Sequence, residues 1–197
     1  MILLIHRDIV RAGHEAAFRE AEEDAARACA KFACPHPHLA MQSLEDPNEV
    51  WWLNALESEA HRQRVADAYA ANAPLTSALA DVGKRRERLV VDQEEFSVIY
   101  NADLSGGLEW QPAGARYVVV TSTPDDREIV GAVFADREGS RRYVFRPAAT
   151  EREAETAASS AGPDTTIFAV RPYWGFPAPE WIAADAGFWQ SNPYTRS

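Results

Sequence analysis

The chain has 197 residues, 46% hydrophobic, 25% charged and 10% aromatic, enough for one ordinary domain or two small ones with a sizeable core. Its 20 basic and 30 acidic residues leave a formal net charge of −10, which argues against a broad nucleic-acid surface, because phosphate binding needs a basic face. No apolar run approaches the ~20 residues of a membrane span. The start MILLIHRD lacks the basic region of a leader, and two cysteines cannot build a disulfide framework. The expectation is a cytoplasmic protein with neither nucleic-acid nor membrane partners.

Residues 1–10 (MILLIHRDIV) predict a strand that is apolar on both faces. Gly13 opens a helical pattern in which Phe18, Ala21, Ala25, Cys29 and Phe32 form one apolar stripe. Glu15, Arg19, Glu22, Glu23 and Arg27 fall on the polar side, and Cys34-Pro35-His36-Pro37 ends the helix. Leu39–Glu45 and Val50–Leu56 predict a hairpin about Asp46-Pro47-Asn48. Ser58 is a candidate N-cap for a helix to about Asn72, with Val65, Ala68 and Tyr69 inward. Pro74 restarts the helix toward Gly83, and the basic run 84–88 reads as a solvated face. Phe96–Asn101 alternates as a strand.

Residues 102–115, rich in Gly, Pro and Ala, read as a linker. A strand at Arg116–Thr121, a turn at Thr123-Pro124-Asp125-Asp126 and a hairpin of Ile129–Ala135 with Arg141–Arg146 follow. Thr150 and Glu153 have capping-box spacing ahead of a short helix that Gly162-Pro163 stops, and Thr166–Val170 is a last strand. Residues 171–197 carry three Trp and much Pro, and are expected to pack on the body or on a partner subunit. The domain reading is a unit over 1–101, a linker, a smaller half over 116–170 and an aromatic arm.

The first half runs β-α-β-β-α-β, the ferredoxin-like order. IHRDIVRAGHEAAFREA at residues 5–21, with Gly13, Glu15 and Phe18, and LEDPNEVWWLNALESEAHRQRV at 44–65 resemble the antibiotic-biosynthesis-monooxygenase-like family. The resemblance covers residues 1–101. It implies a dimeric α/β barrel of two antiparallel sheets with helices on one face of each. In that family are cofactor-independent oxygenases, haem-degrading enzymes and proteins without demonstrated activity. The sequence departs from the haem-degrading branch, where a histidine late in the second helix follows a Trp about three turns earlier. Here that late position falls at Asn72-Ala73-Pro74, and no Trp lies between Ser58 and Asn72. The second half could be a degenerate repeat of the same unit without its first helix, giving a tandem α+β barrel.

Candidate chemistry rests on few residues. His6, in a strand beside Ile2 and Leu4, is the candidate general base. His38, Trp52, Asn54 and Tyr100 are the candidate substrate-binding residues. Cys34, His36 and His38 are metal-capable types, but the intervening prolines splay them, and no metal or cofactor is expected. Gly-x-Ser-x-Gly, His-Glu-x-x-His and phosphate-loop motifs are absent. The leading expectation is a cofactor-independent monooxygenase-like protein acting on a small electron-rich aromatic. The alternative is a non-catalytic small-ligand-binding or structural dimer, and a third reading is haem binding through a histidine. A homodimer with the aromatic arm at its interface is expected, because one set of helices covers only one face of a sheet.

Overall fold

The computed structural model describes residues 1–123 and 130–189. Its first half comprises β1 (Ile2–Val10), α1 (Glu15–Lys31), β2 (Leu39–Ser43), β3 (Glu49–Leu56), α2 (Glu59–Ala71), α3 (Ala73–Arg86) and β4 (Val90–Tyr100). The second comprises β5 (Tyr117–Thr123), β6 (Ala132–Ala135), β7 (Arg142–Ala148), α4 (Glu151–Ala161) and β8 (Thr165–Val170), followed by α5 (Pro179–Ala184) and α6 (Ala186–Trp189).

Local chemistry explains most boundaries. Gly13 takes φ 83°, a left-handed turn that suits glycine, immediately ahead of α1. Asn48 N–H donates to Asp46 Oδ1 at 3.0 Å and sets the β2–β3 turn. Ser58 caps α2 by accepting from His61 N–H, and Asn72 both ends α2 and caps α3 by accepting from Leu75 N–H. Thr150 and Glu153 form the expected capping box, and Gly162 follows α4 at φ 105°.

All eight strands join one closed antiparallel barrel in the order β1-β3-β2-β8-β5-β7-β6-β4. β1 pairs with both β3 and β4, so the first and fourth strands of the amino-terminal half share one sheet. Around the barrel the two halves read β4-β1-β3-β2 and β8-β5-β7-β6, the same permutation of first, second, third and fourth strands. β2–β8 and β4–β6 pairings join them.

Alternation divides every strand between two environments. Leu3, Ile5, Trp51, Leu53, Val98, Val118, Val120, Phe134, Phe145 and Phe168 point into the barrel and form its core. On the outside, α1 packs Phe18 onto Val10, Ala40, Val50 and Trp52, while α4 packs Ala154 and Ala157 onto Val119 and Ala148.

Two element boundaries differ from the expectation. β4 begins at Val90 rather than Phe96, because the polar stretch Asp92–Glu95 pairs with Asp8 through Ile9 and their neighbours on β1. α3 runs through Gly83 to Arg86. Trp110, in the predicted linker, is buried against Phe145 with ring centroids 5.6 Å apart. Part of the expected turn at 123–126, the start of the strand expected at Ile129, and Tyr194 of the arm lie outside the described residues. The described part of the arm, through Trp189, packs on its own barrel: Ala178, Trp181 and Trp189 join the interior core. Arg116 pairs with Asp185 at 2.9 Å and lies over the Phe188 ring, which fixes α5 and α6 at the barrel end where β5 begins. The second sheet face that required a cover is therefore covered within one chain, which removes the physical need for a partner subunit there.

Candidate functional site

Among the described residues, the end of the barrel opposite the arm is open. A cavity of about 370 Å³ lies there, among the ends of β1, β3, β4, β5, β7 and β8, within the size range of small-molecule sites. Its wall is aromatic. Phe96 stacks on Tyr143 at 5.4 Å, and Trp51 lies 5.1 Å from Phe168 and 6.1 Å from Phe96 between ring centroids. The rim is charged. Arg7 Nε donates to Glu49 Oε1 at 2.7 Å and Nη1 to Asp92 Oδ2 at 3.2 Å, while Trp51 Nε1–H donates to the same Glu49 oxygen at 2.9 Å. Burial works against the Arg7 cation, but its bonds to Glu49 and Asp92 outweigh that and hold its pKa above the ordinary value. Across the mouth, Arg141 Nη1 is 4.0 Å from Glu94 Oε1. Burial pushes the Tyr143 phenol up, with a hydrogen bond and the positive charge of Arg141 opposing. A flat ring can lie against Trp51, Phe96 and Tyr143 while a polar substituent meets Arg141, Tyr143 or Glu94.

The residues singled out in the sequence do not gather there. His6 pairs across the sheet with Trp52 and Glu95, so it points outward, toward the helices. Its Nε2 is 3.1 Å from Glu95 Oε2. Burial lowers its pKa, Glu95 opposes, and Arg86 lowers it further. Trp52 is buried under α1 against Phe18, and Asn54, two residues on, shares that outer face. His38 lies against the Phe176 ring and exchanges backbone hydrogen bonds with Phe176. Tyr100 does face inward, but at the arm end, where it packs on Phe134 and its hydroxyl donates to Leu108 C=O. The missed cavity residues come from both halves, with Arg7 one step along β1 from His6. Alternation groups Arg7 with Leu3 and Ile5, but only the closed barrel shows that this face is the inner one.

The outer face holds a buried ionic cluster that a residue-by-residue reading could not place. Asp8 is fully buried and accepts from Arg86 Nη2 at 2.6 Å and from Gln93 Nε2 at 3.0 Å. Arg86 Nε also lies 2.8 Å from Glu22 Oε1, without hydrogen-bond alignment, and its guanidinium covers the Trp52 ring at 4.3 Å. Arg86 belongs to the basic run expected to be solvated, and Glu22 to the expected polar face of α1. Burial raises the Glu22 carboxyl to about 7, with Arg86 opposing. A carboxyl raised on folding contributes stability present below its unfolded pKa and lost as pH rises through the folded one. The Glu22 contribution to stability should thus fall between about pH 4.5 and 7, and Glu22→Gln should remove that downward component from urea titrations across this window. An unchanged slope would show that Glu22 ionises freely.

In the Cys34–His38 segment the prolines do not splay every side chain apart, because Cys34 interacts with His38 as well as with Cys29. Cys34 Sγ is 3.0 Å from Tyr69 Oη, and the His36 ring meets the His61 ring edge-on at 5.7 Å. Among the described residues no cluster of three metal-capable side chains forms. His36 is buried with no hydrogen-bond partner for Nε2 among the described residues, and burial lowers it to about 4, with His61 adding to the effect. A base depressed on folding costs stability as pH falls from its unfolded value of 6.5 toward 4. His36→Phe should resist acid unfolding better than wild type in melts between those pH values.

No family model matches the chain, and no curated protein matches it. Solved structures do. A putative monooxygenase from Fusobacterium nucleatum superposes with a TM-score of 0.57 at 11% identity, covering 86% of this chain and 91% of that one. A putative monooxygenase from Lactobacillus acidophilus gives 0.52 at 7% identity, covering 86% and 93%. A putative chlorite dismutase gives 0.50 at 12% identity, covering 88% and 96%. At these identities the likeness is one of fold. The chain has the α+β antiparallel barrel of the monooxygenase-like proteins that its first 101 residues resemble, and the likeness runs through both halves. Among the described residues no helix is long and apolar enough to cross a membrane.

Proposed function

We propose that the barrel mouth is a small-molecule site and that the chain acts there as a cofactor-independent, monooxygenase-like protein on a small electron-rich aromatic. The observation that carries this reading is the aromatic-walled, charge-rimmed cavity. The fold shared with two putative monooxygenases supports it. In this reading the substrate supplies the electrons. Loss of a proton gives an anion that reduces O₂; a ring CH₂ becomes C=O, one oxygen atom enters it, and the other leaves with the two hydrogens as water. Glu94, half-exposed at the rim, is the proton acceptor, while Arg141 and Tyr143 hold the developing oxyanion. Tandem ferredoxin-like halves, each supplying part of the cavity, fit the matching strand permutations. Haem ligation through a histidine finds no support at the same cavity, because none of the described residues that line it is a histidine.

A second reading, ligand binding without turnover, draws on the interior below the mouth, which is filled by Trp110, Phe134, Phe145, Trp181 and Trp189. Oxygen uptake with anthrones and hydroquinones separates the two. The enzyme reading expects saturable uptake that Glu94→Gln lowers about a hundredfold and that His6→Ala leaves within a few-fold. Saturable binding without uptake sinks catalysis, and loss of uptake in His6→Ala with Glu94→Gln unaffected moves the site to the helix-covered face.

A further inference from the structure

A second concavity, of about 540 Å³, lies outside the barrel between α1 and the chain that follows β8. Arg19, Glu15 and Glu23 line it from α1, Gln42 from β2, and Arg171 and Tyr173 from the arm. Its charges are not matched to one another. Glu15 is committed to its own turn, its Oε1 accepting from Gly13 N–H at 2.8 Å. Glu23 lies 4.0 Å from Arg27 on α1. The two arginines have no carboxylate partner among the described residues.

Arg171 is the unusual one. It is half-buried, and its side chain makes one hydrogen bond, from Nε to Gln42 Oε1 at 2.9 Å. Gln42 is itself held, its amide donating to Pro47 C=O. The guanidinium is thereby fixed in plane, with both Nη groups left without a protein acceptor among the described residues. Burial lowers its pKa and Tyr117 opposes, with no carboxylate contributing. A partly desolvated, oriented and unneutralised guanidinium is costly to fold, and its fork matches the two oxygens of a carboxylate. Beside it Tyr173 exposes 40% of its surface, while the neighbouring Trp174 is anchored edge-on against Phe18 at 6.2 Å.

We propose that this groove binds the carboxylate of a small aromatic acid. Arg171 takes the two oxygens through its Nη groups, Arg19 adds positive charge from α1, and the Tyr173 ring covers the aromatic part. The site lies on the outer side of the sheet, so it is separate from the barrel mouth and does not depend on the reading given to that cavity.

Calorimetric titration of the full chain with sodium benzoate tests this, with inorganic phosphate as the comparison anion. The expected result is saturable benzoate binding, tighter than phosphate, weakened about tenfold or more in Arg171→Gln and a few-fold in Arg19→Gln. Arg171→Lys, which keeps the charge and loses the fork, should fall between wild type and Arg171→Gln, and serves as the variant if Arg171→Gln melts early. Arg64→Gln, exposed on α2 and in neither cavity, should leave benzoate binding unchanged. No saturable binding, phosphate binding as tight as benzoate, or binding that survives Arg171→Gln and is lost in Arg141→Gln would each overturn the proposal. The last result would place the acid at the barrel mouth instead.

Discussion

Arg86→Met should destabilise the protein by about 3–5 kcal/mol, because it leaves buried carboxylates without their cation. Asp8 is fully buried and Glu22 is 1% exposed. With Arg86 gone, Asp8 keeps the Gln93 hydrogen bond and Glu22 loses the guanidinium beside it. The lost contact over Trp52 adds to the deficit. The cost should depend on pH with a definite sign. Glu22 already binds its proton near neutrality, and removing the opposing charge raises its carboxyl further. Below pH 5 Glu22 is neutral in both folded proteins, so the penalty there should be smaller than at pH 8. Urea titrations of both proteins at those two values measure the difference. A penalty under about 1 kcal/mol, the range of an exposed ion pair, would mean that water reaches the cluster. The double variant Glu22→Gln/Arg86→Met should recover part of the loss.

Trp189→Ala should cost about 3–5 kcal/mol, the range for deleting a large aromatic from a packed interior. Trp189 is fully buried, lies 5.7 Å from Trp181 and 5.0 Å from Phe188 between ring centroids, and joins the barrel core. A chain ending at Val170 should fare worse. It loses Trp174, Trp181 and Trp189 together and bares the barrel end over Trp110 and Phe145. A sharp fall in melting temperature and self-association in light scattering are expected. A truncated chain that stays monomeric and melts with the full chain would show that the arm is a loose appendage. The arm's burial on its own barrel is thus a stability statement that needs no second copy. Homodimerisation is a separate question that light scattering on the full chain answers.

How much was legible in the sequence follows from the range of each force. The hairpin at Asp46-Pro47-Asn48, the Ser58 cap and the Thr150/Glu153 box act over two or three residues, and all three are present. The order β-α-β-β-α-β was readable for the same reason, since periodicity and turn chemistry are local. β4 was cut short because Asp92-Gln93-Glu94-Glu95 has no strand signature of its own. Those residues are extended because β1 pairs with them, and Gln93 is occupied by Asp8, 85 positions away.

The candidate site was less legible, because a strand with two apolar faces does not say which is the inside. Ile2, Leu4 and His6 on one side of β1 and Leu3, Ile5 and Arg7 on the other are equivalent as sequence. Barrel closure through β2–β8 and β4–β6 decided that Leu3, Ile5 and Arg7 look inward. His6 went under the helices, and Arg7 met Glu49, Trp51 and Asp92 at the mouth. By itself, then, the sequence determined the elements, their turns and caps, and the ferredoxin-like order of the first half, all of which are set by neighbours a few residues apart. Only the tertiary structure decided which face of each strand lines the barrel, where the aromatic arm packs, and which charges are buried together, because each depends on pairings between residues tens of positions apart.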